Sequence, residues 1–259
     1  MKQLFYKYQG TGNDFVMIDN RKDVFDKHNT ALISHLCNRR TGVGADGLIL
    51  LESDSSYDFR MVYFNADGNE STMCGNGGRC IVAFANYLGI IEKNTEFVAI
   101  DGPHLARIDA AFVELKMQDV SEVFSNDNYH LLDTGSPHYV ELQSNLQGID
   151  MNLEGSRIRH TAPFDRSGVN VNFAEKINDD TFAIRTYERG VEGETLSCGT
   201  GATAVAIAMH HSNQTTSKSI ALETQGGVLQ VRFEPLSSFY SDVWLCGPTK
   251  QVFKGDLEW

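Results

Sequence analysis

The chain has 259 residues, enough for one large domain or two small ones, and either would bury a sizeable core. Its composition, 41% hydrophobic and 22% charged, is ordinary for a globular protein. The formal net charge of −12 argues against nucleic acid and anionic membrane surfaces as partners. We therefore expect the ligand to be a small molecule.

The first residues run directly into a strand-like pattern, without the apolar stretch of a signal peptide. No segment approaches the roughly 18 apolar residues of a membrane-spanning helix. The five cysteines include no CxxC pair and fit neither a disulfide framework nor a zinc site. The sequence therefore predicts a cytoplasmic protein with reduced thiols, no bound metal and no membrane partner.

The first half of the chain is predicted to contain mostly strands, in short apolar or alternating runs at residues 15–18, 48–51 and 59–64. A helix is expected at about residues 30–40, with Asn29 or Thr30 as its N-cap and Gly42 after its end. A second helix follows Cys74 and ends at Gly89. Apolar residues occupy all its sides, so it is expected to be buried.

The second half is predicted to be organised in the same way. The runs at residues 170–176 and 181–187 flank a turn-forming segment at 178–180 and predict a hairpin. Residues 202–209 are almost wholly apolar and predict another buried helix, which follows Cys198.

The motif Cys-Gly-x-Gly occurs twice, beginning at Cys74 and at Cys198, which are 124 positions apart. The same shift superposes further landmarks, namely Tyr63 on Tyr187, Glu70 on Glu194, Gly102 on Gly226 and Leu105 on Leu229. A register kept over this length indicates an internal duplication rather than two coincidental glycine loops.

This duplication predicts an α+β fold of two pseudo-symmetric halves, each a curled, mainly antiparallel sheet around a buried central helix. We place the first half at residues 1–118, carrying Cys74, and the second half at residues 119–248, carrying Cys198. A tail of about residues 249–259 is expected to pack back on the first half.

Each of the two cysteines is predicted to lie just before a buried helix, where the helix dipole stabilises a thiolate. An ordinary cysteine has a pKa near 8.5 and is only about 3% ionised at pH 7. The glycines let the backbone approach a ligand, and the first N–H groups of a helix suit a carboxylate. Two thiols on opposite faces of one α-carbon would exchange its proton without a cofactor.

Structural interpretations compete with functional ones at several positions. Cys37, Cys80 and Cys246 are predicted to be core residues, and one cysteine in a glycine turn would usually be structural as well. His138 fits a structural role as well as a functional one. Polar residues near both loops favour a site for a doubly charged ligand. The segment at residues 42–47 resembles a dinucleotide-binding loop only superficially, because it follows a helix and leads into a strand.

A set of motifs covers almost the whole chain: Gly-Asn-Asp-Phe at 12–15, Asn-Ala-Asp-Gly at 65–68, Met-Cys-Gly-Asn-Gly at 73–77, Pro-His at 137–138, Gly-Val-Asn-Val-Asn at 168–172, Tyr-Glu-Arg-Gly at 187–190 and Ser-Cys-Gly-Thr-Gly at 197–201. In this order they resemble the diaminopimelate epimerase family. The resemblance implies a cofactor-independent isomerase that interconverts LL- and meso-diaminopimelate in lysine and peptidoglycan precursor biosynthesis. It also implies a homodimer.

The resemblance further implies roles for individual residues. Cys74 and Cys198 match the base and acid pair, and His138 and Glu188 match positions thought to tune the thiols. Substrate-binding positions are matched by Asn13, Asn65, Gly75, Asn76, Asn170, Glu188, Arg189, Gly199 and Thr200. Of these, Arg189 suits the distal carboxylate of the substrate, because a guanidinium binds a carboxylate bidentately.

Three departures from the family pattern concern substrate recognition or its surroundings. Ser136 stands where many members have Asn, Gly47 stands where some have Gln, and the segment at residues 190–195 is one residue longer than the commoner form. An alternative enzyme is a racemase related to proline or histidine racemases, although Asn76 stands where proline-racemase-like proteins have His. An alternative from another class is a thiol-based redox sensor or an inactive ligand-binding protein.

Overall fold

A computed structural model describes residues 2–237 and 239–258. Its elements, in chain order, are β1 (Lys2–Gly10), β2 (Asn13–Asp19), α1 (Thr30–Cys37), β3 (Gly47–Glu52), β4 (Arg60–Asn65), α2 (Gly75–Tyr87), β5 (Asn94–Ala99), β6 (Gly102–Asp109), β7 (Phe112–Lys116), β8 (Val123–Ser125), β9 (His130–Asp133), β10 (Pro137–Leu142), a 3₁₀ turn (Leu146–Gly148), α3 (Met151–Arg159), β11 (Asn170–Lys176), β12 (Thr181–Glu188), β13 (Gly193–Thr195), α4 (Gly199–His211), β14 (Ser219–Thr224), β15 (Gly227–Pro235), β16 (Tyr240–Pro248) and β17 (Lys250–Glu258).

The chain divides into two compact units. Unit 1 holds the described residues up to Leu115 and from Gly247 onward, whereas unit 2 holds Lys116–Cys246. The first boundary lies three residues before the predicted end of the first half at residue 118. The C-terminal strand β17 belongs to unit 1 because it pairs with β1 along almost its whole length.

The sheet of unit 1 runs from β17 through β1 to β7 in chain order. The pairs β17–β1, β1–β2, β3–β4, β5–β6 and β6–β7 are antiparallel, whereas β2–β3 and β4–β5 are parallel. Helix α2 contacts β1, β2, β3, β4 and β6, so the sheet curls around it. Its residues from Gly75 to Cys80 are all buried, as the predicted central helix requires.

Unit 2 repeats the same pairing series. Strands β10–β11 and β12–β14 are parallel, whereas β11–β12, β14–β15 and β15–β16 are antiparallel. Phe15 lies opposite Gly47 in unit 1, and Tyr139 lies opposite Val171 in unit 2, a shift of 124 for both residues. Strands β9 to β12, β14 and β15 contact α4, and ten of the helix's residues are buried. The predicted α+β fold with two pseudo-symmetric halves is therefore confirmed.

Both central helices end in the same hydrogen-bonded motif. After α2, Gly89 adopts φ of +71° and donates to Asn86, while Ile90 donates to Ala85. After α4, Asn213 adopts φ of +59°, in the corresponding place. This pattern is a Schellman motif, in which a residue in the left-handed conformation lets the following N–H groups satisfy the last carbonyl groups of the helix.

Within residues 2–237 and 239–258, no helix is both long and apolar enough to cross a membrane.

Helix α1 is shorter than predicted, because it ends at Cys37 rather than near residue 40. The side-chain oxygen of Asn38 accepts hydrogen bonds from the backbone N–H groups of Arg40 and Thr41, at 2.8 and 3.0 Å. This local capture competes with continuation of the helix. The predicted N-cap is correct, since Asn29 accepts a hydrogen bond from the N–H of Leu32 at 3.0 Å.

Helix α3 was not predicted from the sequence. It is mostly polar and carries Gly155 in its interior, which lowers helix propensity. The structure explains this glycine by close packing, because a Cβ there would lie 2.4 Å from the Cβ of Tyr187 on β12. The requirements of packing against the sheet therefore outweigh local propensity at this position.

Replacing Gly89 by alanine tests the left-handed termination of α2. A Cβ on Gly89 would have no described atom within 4 Å, so its cost comes from the backbone conformation alone. We expect Gly89→Ala to lower the free energy of unfolding by about 1 kcal/mol, as measured by urea denaturation. Gly89→Asn is the matched control and should cost less, because asparagine tolerates this conformation. Equal stability of Gly89→Ala and the parent would contradict the prediction.

Candidate active site

Cys74 is the N-cap of α2, where extended backbone (φ −107°, ψ 125°) turns into helix. The first helical hydrogen bond runs from the N–H of Gly78 to the carbonyl of Cys74, at 2.7 Å. The N–H groups of the three intervening residues therefore precede the helical ladder and point toward the N-terminal end. Together with the helix dipole they create a positive potential beside the half-buried thiol, as anion binding requires.

Two asparagine side chains join Cys74 at the start of α2. Cys74 Sγ lies 3.6 Å from Asn13 Oδ1, which also accepts a hydrogen bond from Asn76 Nδ2 at 3.3 Å. Asn13 Nδ2 donates to Asp46 Oδ2 at 2.6 Å. The structure therefore brings together three of the predicted site residues of unit 1, and it adds Asp46, to which the sequence analysis assigned no role.

A cluster of charged residues surrounds Asp46, the hydrogen-bond partner of Asn13. Asp14 forms ion pairs with Lys7 at 2.8 Å and with Arg39 at 2.7 Å, and Arg39 also pairs with Asp46 at 2.6 Å. Burial alone would raise the pKa of Asp14, but the hydrogen bonds and charges of Arg39 and Lys7 outweigh it and hold the pKa well below its usual range. These side chains consequently fix the loop that carries Asp46.

Cys198 is the N-cap of α4, with nearly the same backbone conformation as Cys74 (φ −118°, ψ 116°). Its Sγ accepts a hydrogen bond from the N–H of Gly201 at 3.3 Å and lies 3.4 Å from Thr200 Oγ1. Gly201 must be a glycine, because a Cβ there would approach Asn172 Oδ1 to 2.5 Å. The start of α4 is thereby pressed against β11, which carries Asn170 and Asn172.

Ser136 and Asn170 form a polar pair whose hydrogen-bond directions are fixed by the backbone. Asn170 Oδ1 accepts from the N–H of Arg189 at 2.9 Å, so its Nδ2 must be the atom that donates to Ser136 Oγ at 2.7 Å. Ser136 Oγ also lies 3.2 Å from His138 Nε2. The serine hydroxyl is therefore an acceptor from Asn170.

His138 is fully buried and its tautomer follows from its neighbours. Asn172 Nδ2 donates to the carbonyl oxygen of Tyr139 at 2.9 Å and to His138 Nδ1 at 3.0 Å. Since Nδ1 accepts, Nε2 carries the hydrogen and donates to Ser136. Burial, and after it the charge of Arg189, lowers the pKa of His138 to about 3. His138 is thus neutral near pH 7, and its role in tuning a thiol stays a prediction.

The remaining predicted residues lie at the ends of β4 and β12. Glu188 Oε1 accepts a hydrogen bond from Thr195 Oγ1 at 2.6 Å, and Arg189 Nη1 donates to the carbonyl of Ser167 at 3.0 Å. Arg189 is exposed, as is Asn65 at the end of β4. The backbone N–H of Arg189 donates to Asn170, which in turn donates to Ser136, so the structure connects these three residues of unit 2.

The other cysteines are core residues, as predicted. Cys37, Cys80 and Cys246 are all buried, and no disulfide joins any of the five cysteines, which all lie within the described residues. Burial raises the pKa of Cys37 to about 12, and it raises that of Cys80 to about 12 as well, against the lowering effect of Arg79. These thiols consequently stay protonated at neutral pH.

Arg79 is a residue near Cys74 that sequence analysis missed. Its side chain is completely buried on α2, and Nη2 donates to Asn76 Oδ1 at 3.0 Å and to Thr11 Oγ1 at 3.3 Å. An arginine is almost never fully buried unless its charge is paired or hydrogen-bonded. The available signal was a single charged residue in a helix that directly follows the start of the Cys-Gly-x-Gly motif.

The sequence of this chain is similar to those of known proteins. The family model described as "Diaminopimelate epimerase" matches residues 5–117 and 130–238. The chain is 56% identical over 250 residues to the diaminopimelate epimerase of Flavobacterium psychrophilum, covering 96% of this chain and 98% of the relative. It is 40% identical over 257 residues to that of Chlorobaculum tepidum, with the same two coverages.

Solved structures show the same fold at low sequence identity. A phenazine biosynthesis protein from Bacillus anthracis matches with a TM-score of 0.80 at 12% identity, and the match covers 100% of both chains. A hydroxyproline epimerase from Agrobacterium vitis, solved with bound trans-4-hydroxy-L-proline, matches with a TM-score of 0.67 at 15% identity, covering 99% of this chain and 92% of that one.

Because His138 is buried in its neutral form, we expect it to make the free energy of unfolding depend on pH. Between its ordinary pKa of about 6.5 and its folded pKa of about 3, the unfolded chain binds a proton that the folded chain does not. Its contribution to stability is therefore present above pH 6.5 and is lost as the pH falls. We expect the stability loss between about pH 7 and pH 5 to be roughly 1–2 kcal/mol smaller in His138→Asn, as measured by urea denaturation.

Two other histidines provide the control for this measurement. Burial also lowers the pKa values of His130 and His210, which remain in the variant and account for part of the pH dependence. Only the difference between parent and variant therefore reports on His138. An identical loss of stability in both proteins would show that His138 does not contribute to it.

Proposed function

The chain belongs to the diaminopimelate epimerase family, and on that premise we propose that it interconverts LL- and meso-2,6-diaminopimelate by two-base proton transfer at the α-carbon. The reaction belongs to lysine and peptidoglycan precursor biosynthesis. The observation that carries the proposal is that two units of the same strand order each place a cysteine at the start of a buried helix. One unit supplies the thiolate and the other supplies the thiol.

The backbone at the two helix starts suits the α-carboxylate of the substrate. We propose that the N–H groups of Gly75, Asn76, Gly199 and Thr200 bind it. These donors are fixed before the substrate arrives, because the helices that carry them are buried. They would also stabilise the negative charge that develops on the α-carbon and its carboxylate when the proton leaves. The thiols and these N–H groups supply the acid, the base and the electrostatic stabilisation of the reaction.

The polar cluster of unit 2 suits the distal end of the substrate. We propose that Arg189 pairs with the distal carboxylate and that Glu188 pairs with the distal ammonium group, with Asn13, Asn65 and Asn170 completing the site. Ser136 adds a hydroxyl donor. Its oxygen accepts from Asn170 and from His138, so its own hydrogen is directed toward an acceptor such as a carboxylate oxygen.

We further propose that the protein works as a homodimer in the cytoplasm. Strand β17 carries the exposed apolar residues Val252 and Phe253. Exposed apolar side chains on this C-terminal strand support association with a second copy. A reducing compartment suits the mechanism, because both thiols must stay reduced. Light scattering coupled to size exclusion would report the oligomeric state.

The reaction is tested with purified, reduced protein and LL-diaminopimelate. Formation of the meso isomer, followed by chiral chromatography, is the result that we expect. L-proline and L-histidine serve as parallel substrates, since they represent the alternative racemases. Racemisation of either one in the absence of diaminopimelate turnover would reject the proposed substrate while keeping the reaction type.

Removing either thiol should abolish epimerisation. In Cys74→Ala and Cys198→Ala one of the two proton-transferring groups is missing, so we expect kcat to fall by more than about 10³-fold. Cys80→Ala is the matched control, because it alters a buried thiol on α2 whose pKa burial raises to about 12. Activity and thermal unfolding are measured together. Retention of full turnover by either catalytic variant in a folded protein would exclude the two-thiol mechanism.

The hydroxyl of Ser136 should contribute to substrate binding rather than to proton transfer. A hydrogen bond to a charged group is worth about 1.5–3 kcal/mol, so Ser136→Ala is expected to raise KM roughly tenfold or more. We expect kcat to change less. Ser136→Thr retains the hydroxyl and is the control, with KM close to that of the parent. An unchanged KM in Ser136→Ala would show that the hydroxyl does not bind substrate.

A further inference from the structure

The start of α2 contains a chain of side-chain hydrogen bonds with a charged residue at each of its two ends. Asn13 Nδ2 donates to Asp46 Oδ2 at 2.6 Å, Asn76 Nδ2 donates to Asn13 Oδ1 at 3.3 Å, and Arg79 Nη2 donates to Asn76 Oδ1 at 3.0 Å. We call this series, Asp46–Asn13–Asn76–Arg79, the amide relay. A carboxylate only accepts and a guanidinium only donates, so both amides have a single orientation.

The amide relay determines which atom faces Cys74. Because Asn13 Nδ2 is held by Asp46, the atom 3.6 Å from Cys74 Sγ is the carbonyl oxygen Oδ1. An amide oxygen is only an acceptor, so Cys74 must be the donor and carries its proton in this hydrogen bond. Hydrogen bonding to the neutral form of a group favours that form. The relay therefore stabilises the thiol of Cys74.

Cys198 differs from Cys74 because its sulfur lies next to hydrogen-bond donors rather than an acceptor. Its Sγ accepts from the N–H of Gly201 at 3.3 Å, and a backbone N–H is only a donor. Thr200 Oγ1 lies 3.4 Å from the same sulfur and is able to donate to it. Thr200 occupies the place that Asn76 occupies in unit 1, given the shift of 124. Donors to the sulfur favour the thiolate.

Arg79 also differs from its counterpart in unit 2. The shift of 124 places it on Thr203, which is buried and whose Oγ1 donates to the carbonyl of Gly199 at 3.0 Å. Arg79 Nη1 makes the equivalent contact with the carbonyl of Gly75 at 3.4 Å. A neutral threonine therefore suffices for this contact within the helix, and the guanidinium performs the additional task of orienting Asn76.

We propose that, before substrate binds, Cys74 carries the proton and Cys198 is the thiolate, and that Asp46 and Arg79 are positioning residues that maintain this state through the amide relay. This inference rests on the proposed function for its consequence in catalysis. Cys198 then removes the α-proton, the electron pair of the broken C–H bond stays on the substrate, and Cys74 delivers its proton to the opposite face. The two cysteines end with exchanged protonation states, and proton exchange with water restores the resting state.

Other charged and titratable groups lie around the amide relay. Among the described residues of unit 1 they include Lys7 on β1, Asp14 on β2, Arg39 and Asp46 between α1 and β3, and Arg79 and Cys80 on α2. The lowered pKa of Asp14 keeps it ionised, and the raised pKa of Cys80, about 12, keeps that thiol protonated near neutral pH. Neither Asp14 nor Cys80 therefore changes its protonation state near neutral pH.

The proposal is tested by pulse alkylation with iodoacetamide at a series of pH values in the absence of substrate. Mass spectrometry of the digested protein gives a separate curve of rate against pH for each cysteine. The midpoint of each curve is compared, because it does not depend on how accessible the sulfur is. We expect the midpoint of Cys198 to lie at least about one pH unit below that of Cys74. A Cys74 midpoint equal to or below that of Cys198 would overturn the proposal.

Two variants separate the contribution of the amide relay from that of the helix. Asn13→Ala removes the acceptor at Cys74 and is expected to lower the Cys74 midpoint while leaving that of Cys198 unchanged. Thr200→Val is the matched variant in unit 2 and should raise only the Cys198 midpoint. Thermal unfolding verifies that both variants are folded. An unmoved Cys74 midpoint in folded Asn13→Ala would contradict the role of the relay.

This assay contains no diaminopimelate, so its outcome is independent of the proposed function. If the midpoints are as expected and the protein does not turn over diaminopimelate, the protonation pattern stands and the proposed substrate is wrong. If turnover is found and the midpoints are reversed, the epimerase function stands and the assignment of the resting proton is wrong.

Discussion

The rest of the structure depends on one constraint, which is that a helix must begin at each of two cysteines while buried inside a sheet. Burial of α2 and α4 fixes the directions of the N–H groups in their first turns. A buried helix start cannot rely on water for these groups, and an anionic ligand would satisfy them. The thiols and these N–H groups are therefore positioned by the same core packing that makes each unit stable.

Much of this arrangement follows from sequence. The two Cys-Gly-x-Gly motifs, the constant shift of 124 and the mostly apolar segments after them predict the duplicated fold and both helix starts. Their information is local, because a helix N-terminus and its N-cap occupy adjacent residues. The predicted hairpin of β11 and β12 is confirmed for the same reason, since its strands are joined by a short turn.

Other parts of the site depend on contacts between residues that are distant in sequence. Asn13 meets Asp46 only because β2 and β3 pair in parallel, with Phe15 opposite Gly47. No short stretch of the sequence predicts that β2 and β3 pair in this register. The direction of each hydrogen bond around Ser136 similarly depends on the backbone N–H of Arg189 and the carbonyl of Tyr139. The contacts of Arg79 likewise depend on its complete burial and on Thr11, which lies 68 residues earlier in the chain.

Duplication supplies two similar thiol sites, whereas epimerisation requires that they differ at any moment in their protonation. The backbone conformations of Cys74 and Cys198 are nearly the same. Their side-chain neighbours are not, because an amide oxygen faces one sulfur and a backbone N–H faces the other. In the proposed mechanism, the shared backbone would let both groups perform the same chemistry, and the different neighbours would let one act as acid while the other acts as base.

The central claim is that one thiol removes the α-proton and the other replaces it. The most direct measurement is the distribution of deuterium early in the reaction of LL-diaminopimelate in D₂O, determined by mass spectrometry of the separated isomers. The account predicts that the first meso product carries deuterium at the inverted carbon while the recovered LL substrate retains its original hydrogen. Meso product that retains the original hydrogen would contradict it, since a single group would then have removed and returned the same proton.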